Sequence, residues 1–338
     1  MIARLKILRA GPGMTVQDLG RPGYLDVGLS RGGAADRLAL HEGAALLGQP
    51  ANLAAIEMAG AGGEFEAIQD TRIALTGAAM RVTLDGGKLA WNASHLLPAG
   101  ARLSIGSMLG GSYGYLHIGG GVEGSHCLGA ESAHLSAGIG ARLSDGGTLT
   151  IGPDDGTQVS MTLPPDDRFG GGTVRIVASF QSHLFADGEL ARLQDTPLRR
   201  DARANRMGVR LEPDGDGFHV EGGRNVISEV IVPGDIQITG DGTPFVLMSE
   251  CQTTGGYPRI GTVLPCDLPR VAQTPAGATL QFRWVGIEDA VELERADAKM
   301  RAALRGRRHP LIRDPHKMPD LLSYQLISGV VAGDEDEK

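Results

Sequence analysis

The sequence predicts a mainly β protein with two domains and a few short helices. Glycine supplies 51 of the 338 residues, about twice its usual share. Aromatic residues make up 4% of the chain. Short apolar or alternating runs recur between turn signals such as Asp85-Gly86-Gly87 and Asp145-Gly146-Gly147. This pattern is typical of antiparallel β-structure and differs from that of repeating βαβ units.

The individual elements follow from these runs and from their punctuation. Three helices are predicted at 34–47, which is followed by Gly48 as a stop, at 181–192, and at 287–304. The last of these is acidic early and basic late, as the helix dipole favours. The predicted strands are 72–75, 79–84, 102–105, 113–118, 148–151, 173–178, 225–232, 245–248 and 279–285.

A polar stretch divides the chain into two domains. Residues 153–172 hold four Asp, three Pro and four Gly and begin no periodic segment, which is the composition of a linker. We therefore expect an N-terminal β-domain over 1–155 and a second β-domain over 173–305. A C-terminal extension over 306–338 ends in an acidic tail that we expect to be disordered.

Composition and charge exclude several classes of function. The net charge of −8, without a concentrated basic patch, disfavours nucleic-acid binding. No run approaches the length of about 18 apolar residues that a membrane span needs. The N-terminus lacks the apolar region of a signal peptide, so we expect a cytoplasmic protein. The three cysteines fit no disulfide framework and are expected to be free thiols.

Common cofactor motifs are absent from the sequence. No Walker A loop occurs, so no nucleotide site is predicted in this chain from its motifs. The nine histidines are scattered without an H-E-x-x-H pattern, so no metal site is predicted. Ala298-Lys299-Met300 faintly resembles a biotinylation sequence, but Lys299 lies in a helical pattern instead of a hairpin tip. We therefore expect that biotin is not attached to this chain.

Three stretches are dense in polar residues within apolar surroundings. The first is 15–24, which begins Thr-Val-Gln-Asp-Leu-Gly-Arg; the second is 205–212; the third is 228–237 followed by 252–260, which begins Gln-Thr-Thr-Gly-Gly-Tyr-Pro. They resemble the motifs of the biotin-dependent carboxyltransferase-like family, formerly labelled allophanate hydrolase subunit 2. That family includes the C subunits of bacterial 5-oxoprolinases, the KipA proteins and the carboxyltransferase domain of urea carboxylase. The resemblance covers about residues 5–300, in the family's order.

The resemblance implies a fold and an activity. It implies two cyclophilin-like β-barrel domains. It also implies one component of an ATP-dependent 5-oxoprolinase, which converts 5-oxoproline, ATP and water into glutamate, ADP and phosphate. The expected partners are a B-like (KipI-like) subunit and an A-like subunit of the lactam-utilisation type, with ATP and magnesium used in the complex. Two alternatives stay open: a carboxyltransferase that moves carboxylate from carrier-bound biotin to urea or a related amide, and a KipA-like regulatory binder of a kinase inhibitor.

The side chains of the three stretches suggest roles toward a small amide or lactam substrate. Guanidinium groups hold oxyanions bidentately, amides can pair with a lactam or ureido group, hydroxyls beside two glycines can stabilise an oxyanion, and carboxylates can act as general bases. The predicted catalytic residues are Asp18, Arg206, Glu229, Thr253 and Arg259. The predicted substrate-binding residues are Gln17, Asn205, Gln252, Thr254 and Tyr257.

Structural roles compete with some of these assignments. Asp18 with Arg21 can form a turn-stabilising pair, and Glu229 can anchor a loop. Asp36 is best explained as the start of the helix that follows it. The family's relatives often carry Lys where this chain has Arg259, and a guanidinium removes a plausible proton-transfer amine because it stays protonated.

Overall fold

The computed structural model describes residues 3–220 and 226–312. Strands dominate these residues, and four α-helices and a few 3₁₀ turns accompany them. The prediction of a mainly β fold with few helices is confirmed. None of the helices within these ranges is both long and apolar enough to cross a membrane. The predicted acidic tail lies outside the described residues.

Two seven-stranded sheets form the N-terminal sandwich. The first sheet has the order β11-β12-β1-β4-β9-β6-β7, and the second has the order β2-β3-β10-β5-β8-β13-β23. Their strands are β1 (Ala3–Arg9), β2 (Thr15–Gln17), β3 (Ala55–Ala59), β4 (Glu64–Ala67), β5 (Thr71–Gly77), β6 (Met80–Leu84), β7 (Gly87–Lys88), β8 (Ala93–Leu97), β9 (Arg102–Met108), β10 (Tyr113–Ile118), β11 (Val122–Glu123), β12 (Thr148–Ile151), β13 (Met161–Thr162) and β23 (His309–Pro310).

The core of the sandwich lies between the two sheets. Leu5 and Phe65 from the first sheet and Ile56 and Leu116 from the second are fully buried in one apolar cluster. Each such side chain contributes about 1.5–3 kcal/mol when it is removed from water. Along β1 and β4 of the first sheet, buried and more exposed residues alternate, which fixes the face that points inward. Strands β3 and β10 of the second sheet are buried on both faces, because α1 packs against the outer face of that sheet.

A closed barrel forms the second half of the molecule. Its interior is filled by buried apolar side chains, among them Val174, Ile236, Val246 and Phe282. A separate two-stranded antiparallel sheet, here called the β17–β20 ribbon, pairs β17 (Glu229–Val230) with β20 (Thr254–Gly255) and lies beside the barrel. The barrel strands, in spatial order, are β14 (Gly172–Val177), β21 (Arg259–Val263), β18 (Asp235–Ile238), β19 (Pro244–Leu247), β16 (Gly208–Pro213), β15 (Leu198–Arg200) and β22 (Thr279–Trp284).

The helices agree with the prediction in position and differ at their ends. Helix α1 is Arg37–Leu47, α2 is Asp187–Asp195 after a 3₁₀ turn at Ser182–Leu184, and α4 is Ile287–Ala303. The Asp36 side chain accepts from Ala39 N–H and caps α1, as expected. The sequence does not predict helix α3 (Leu268–Gln273), because six residues are too few to show a helical period.

Most predicted strands are present, and one is largely wrong. The predictions at 113–118 and 148–151 match β10 and β12 to the residue. Of the predicted strand 225–232, only β17 is a strand among its described residues. Residue 225 itself lies outside the described residues. The apolar residues there belong to β17 of the β17–β20 ribbon and to the loop that leads into β18. Their hydrophobicity therefore reflects local packing and not one long strand.

The stretch predicted as a linker makes ordered contacts with the sandwich. Within it, β13 pairs with β8 and with β23, so the chain returns to the sandwich after the barrel. Arg168 is buried and pairs with Asp36 at 2.8 Å and with Glu42 of α1 at 2.6 Å. The domain boundaries at 155, 173 and 305 remain a prediction.

Helix α1 crosses β10 at a residue without a side chain. A Cβ atom on Gly43 would lie 2.3 Å from three atoms of the His117 ring. His117 is fully enclosed there, with its Nε2 atom 2.7 Å from Thr76 Oγ1. The helix therefore requires glycine at this position, although glycine weakens helix interiors.

The Gly43→Ala substitution should lower the free energy of unfolding by about 1–3 kcal/mol, because the added methyl group overlaps the His117 ring. That figure is a net value: the overlap with the ring costs more free energy than the gain in helix propensity of about 1 kcal/mol that alanine brings. Urea unfolding of both proteins measures the difference. The matched control is Gly188→Ala in α2, where a Cβ would contact nothing within 4 Å and stability should stay equal or rise. Equal loss in the two variants would contradict the overlap.

Candidate functional site

Arg206 joins the barrel to the sandwich. It lies in the loop between β15 and β16, and its guanidinium pairs with Glu57 of β3 and with Glu250 beyond β19. The remaining terminal nitrogen donates to Gly33 O. Burial lowers the pKa of Arg206, but the two carboxylates outweigh it, so its pKa lies above the ordinary value. The protein itself therefore engages all three guanidinium nitrogens.

Glu57 extends this junction into the sandwich. Its second oxygen accepts from Ala35 N–H at 2.8 Å and from the Tyr115 hydroxyl at 2.7 Å. Tyr115 in turn accepts from Asp36 N–H at 2.8 Å. Burial, followed by the charge of Glu57, raises the pKa of Tyr115 well above its ordinary value, so the phenol keeps the proton that it donates.

Gln17 and Asp18 lie in the sandwich and serve its loops. The Asp18 carboxylate accepts from Gly20 N–H at 2.8 Å and from Glu131 N–H at 2.7 Å. Gln17 donates to Thr15 Oγ1 and to Ala133 O, and it is fully buried. The structure does not bring these two residues to the cleft beside the barrel that Asn205, Gln252 and Tyr257 line. Asp18 acts here on backbone groups, and its predicted catalytic role stays a prediction.

The β17–β20 ribbon carries several of the predicted residues over the outer face of the barrel. Glu229 of β17 pairs with Arg259 of β21 at 2.6 Å, and Gln181 donates to the same carboxylate oxygen at 2.8 Å. The backbone of Thr254 pairs with Val230. The Glu229 side chain is half-exposed, whereas that of Arg259 is buried. A solvent-accessible carboxylate is thus held in place by a buried cation.

Thr253 lies where the β17–β20 ribbon meets the sandwich. Its carbonyl accepts from Ile231 N–H at 3.0 Å. A Cβ on Gly28, which follows the 3₁₀ turn Leu25–Val27, would lie 3.9 Å from Thr253 Oγ1. Some of the backbone groups at 253 and 254 are thus already hydrogen-bonded within and beside the β17–β20 ribbon. Their predicted role in stabilising an oxyanion stays a prediction.

A cleft of about 340 Å³, here called the Gln237 cleft after one of its lining residues, opens next to the β17–β20 ribbon. Three of the predicted substrate-binding residues line it: Asn205, Gln252 and Tyr257. Gln237 of β18 also lines the cleft, and its Nε2 atom is buried without a hydrogen-bond partner among the described residues. A buried donor without a partner is rare in folded proteins and points to a missing acceptor. The cleft can therefore accept a small group with an exposed carbonyl oxygen.

Cys251 lines the same cleft but is a poor nucleophile. Burial, with a smaller contribution from the charge of Asp235, raises the pKa of its thiol to about 12. The thiolate is the reactive form of cysteine, and at neutral pH it is almost absent here. The other polar groups that line the cleft are amides, hydroxyls and the Arg203 guanidinium.

Sequence reasoning misses two residues of this region. Gln237 ends one of the polar stretches, and its position between buried Ile236 and Ile238 could have marked it as a polar side chain on the outer face of a strand. Gln181 bridges Glu229 to the backbone N–H of Arg259 at 3.0 Å. It lies 48 residues from Glu229 in the chain, and no local pattern connects the two.

Comparison with known proteins identifies the family. Residues 27–284 match the family described as carboxyltransferase domain, subdomain A and B. The chain belongs to the carboxyltransferase domain family. This confirms the resemblance carried by the three polar stretches. Two sites thus lie within the carboxyltransferase domain of this chain: the Arg206 junction, in which Arg206 contacts Glu57 and Glu250, and the Gln237 cleft.

Individual relatives carry two kinds of name. This carboxyltransferase-domain chain is 33% identical to the C subunit of 5-oxoprolinase from Escherichia coli over 293 residues, which span 85% of this chain and 93% of that relative. It is 31% identical to the C subunit of 5-oxoprolinase from Haemophilus influenzae, over 83% of this chain and 91% of the relative. The crystal structure of Kluyveromyces lactis urea carboxylase shares the fold, with a TM-score of 0.79 and 23% identity over 93% of this chain and 31% of that one.

Replacing Arg206 by Ala should lower the free energy of unfolding by about 3–5 kcal/mol, because two buried carboxylates lose their shared cation. The measurement is urea unfolding at neutral pH. Arg203→Ala is the matched control: that side chain is exposed and pairs with Asp201, so its loss should stay within about 0.5 kcal/mol. An Arg206→Ala protein as stable as its parent would disprove the bridging role.

Proposed function

We propose that this chain is the C subunit of an ATP-dependent 5-oxoprolinase, which opens 5-oxoproline to glutamate at the expense of ATP. The observation that carries the proposal is the 33% identity to the Escherichia coli 5-oxoprolinase component across 93% of that relative's length. A match over nearly the whole relative supports a shared role better than a match to one domain of a larger protein.

The cleft supports a lactam as the substrate class. A lactam ring offers one carbonyl acceptor and one N–H donor. Gln237 Nε2, which has no partner within the described ranges, can donate to that carbonyl, and the amides of Asn205 and Gln252 can satisfy the remaining polar groups. Glu229, held by Arg259, is the candidate base for the water or for the ring nitrogen. In this proposal these residues bind and orient the lactam.

We place the ATP and its magnesium in the assembled complex and outside the Gln237 cleft. A triphosphate needs several cations or a row of free backbone N–H groups. Among the described residues that line the cleft, the single cation is Arg203, and it already pairs with Asp201 at 2.6 Å. When bound in the complex, ATP supplies activation of the lactam carbonyl.

An apolar rim suggests where a partner subunit contacts this chain. The exposed fraction is 89% for Phe180, 85% for Ile227, 56% for Val230 and 51% for Tyr257. Val230 belongs to β17 of the β17–β20 ribbon, and the other three residues lie in segments next to the ribbon. Large exposed apolar side chains that cluster in one region mark interaction surfaces. We propose that the B-like subunit covers this rim and completes the site, and that the A-like subunit joins the complex.

A carboxyltransferase acting on a urea-type amide is the second candidate. The chain is 27% identical to a putative urea carboxylase of Emericella nidulans over 321 residues, which span 87% of this chain and 25% of that protein. In that case biotin would arrive on a separate carrier, because Lys299 lies inside α4. An amide-lined cleft also accommodates a ureido group, so the reaction must be assayed to separate the two.

Co-expression with the B-like and A-like subunits should give ATP-dependent glutamate formation from 5-oxoproline, and turnover should stop when this chain is omitted. Coupled assays of glutamate and ADP measure both products. An assembled complex that carboxylates urea with carrier-bound biotin, and leaves 5-oxoproline intact, would reject the oxoprolinase proposal.

Within that complex, Gln237→Met should raise the KM for 5-oxoproline by roughly three- to tenfold, which corresponds to the loss of one hydrogen bond. The matched control is Gln281→Met on the exposed face of β22, which should leave KM unchanged. Equal KM values in the two variants would remove Gln237 from the substrate site.

Replacing Phe180 by Asp should prevent co-purification with the B-like subunit, because a charge would enter an apolar contact. Leu96 of β8 is an exposed apolar residue on the sandwich, and Leu96→Asp is the control that should still co-purify. Size-exclusion chromatography with a pull-down measures both. Retained binding by Phe180→Asp would place the interface elsewhere.

A further inference from the structure

A second cavity lies at the junction of barrel and sandwich, apart from the Gln237 cleft. Its volume is about 190 Å³. Its polar lining comes from both halves and from α4: Arg31 and Arg37 from the sandwich, Ser249 from the loop after β19, and Glu294, Asp297 and Arg301 from α4. None of the residues predicted from the sequence motifs lines it.

Two hydrogen-bond donors in this lining lack both a hydrogen-bond acceptor and an ion-pair partner within the described part of the chain. They are the Nε atom of Arg37 and the Oγ atom of Ser249, and both are buried. Buried polar groups are nearly always paired, so each exception calls for a missing partner. Because both donors line one cavity, a single acceptor there could satisfy them together.

The charges around the cavity leave a positive excess. Of its two carboxylates, Glu294 accepts from Cys266 N–H at 2.8 Å, and Asp297 pairs with Arg301 at 2.7 Å. Burial, then the neighbouring charges of Arg31 and Arg301, lower the pKa of Arg37 to about 10. An anion bound beside Arg37 would relieve both the burial and the repulsion.

The remaining walls are apolar. Leu38, Met248 and Leu268 contribute side chains, and Pro233, Pro265 and Pro269 contribute rings. Such walls favour a ligand that has a carbon skeleton behind its charged group over a bare inorganic anion. The size of the cavity limits that skeleton to a few carbon atoms.

We propose that this cavity binds a small organic carboxylate, which accepts hydrogen bonds from Arg37 and Ser249 and rests its carbon chain against the apolar wall. Ser249 precedes Glu250, the barrel's carboxylate in the Arg206 junction, and Gly32 N–H donates to Ser249 O at 2.9 Å. A ligand here therefore contacts both halves of the molecule. The inference does not depend on the proposed oxoprolinase activity, because it concerns binding by this chain alone.

Isothermal titration calorimetry of the purified full chain with pentanoate tests the proposal. Pentanoate should bind, and 1-pentanol, which has the same carbon count without the charge, should not. Arg37→Gln should weaken pentanoate binding by about ten- to hundredfold, the effect of a lost charge-assisted hydrogen bond. Ser249→Ala should weaken it by roughly three- to tenfold.

The controls separate this site from general anion binding and from misfolding. Arg295→Gln changes an exposed arginine on the same helix as Arg301, and it should bind pentanoate like the parent. Thermal unfolding without ligand checks that the variants fold; if Arg37→Gln does not, Ser249→Ala decides alone. No pentanoate binding by the parent, unchanged affinity in the folded cavity variants, or tighter binding of inorganic phosphate than of pentanoate would each overturn the proposal.

Discussion

The arrangement of the molecule depends on one shared cation. Glu57 of the sandwich and Glu250 of the barrel are both nearly inaccessible to water, and an isolated buried carboxylate is strongly destabilising. Arg206 satisfies both, so the two halves can meet only where its guanidinium reaches the two acids. Glu250 also begins the loop that leads into β20 of the β17–β20 ribbon, and Ser249 precedes it. The cleft and the cavity are therefore both positioned by this contact.

The fold could be predicted where the sequence marks both ends of an element. Strands β10 and β12 are predicted to the residue because turn residues precede them, and because an apolar run fills β10 and an alternating run fills β12. Helix α3 has a proline within its first turn and only six residues, which is too short for a periodic signal. Arg168 could not be assigned from sequence either: it lies in a stretch of Pro, Asp and Gly, and its partner Glu42 is 126 residues away.

The candidate site could be predicted in part, for a related reason. Asn205, Gln252 and Tyr257 occur in recognisable motifs, and the barrel brings them to one cleft. The same reasoning assigns Arg206 to catalysis; its three guanidinium nitrogens are engaged by the protein, and the catalytic role stays a prediction. Sequence shows that a guanidinium is present and does not show which acid it will meet. Gln237 and Gln181 act through contacts that are made only in the folded barrel.

The return of the chain from the barrel to the sandwich has a consequence for biosynthesis. Strand β13 leaves the second sheet at Thr162, and its partner β23 begins at His309. The edge of that sheet thus waits for the ribosome to add almost 150 further residues, during which the barrel can fold. Long-range pairing of this kind slows folding and exposes strand edges. A nascent chain stalled before β23 would present an unfinished edge of the second sheet.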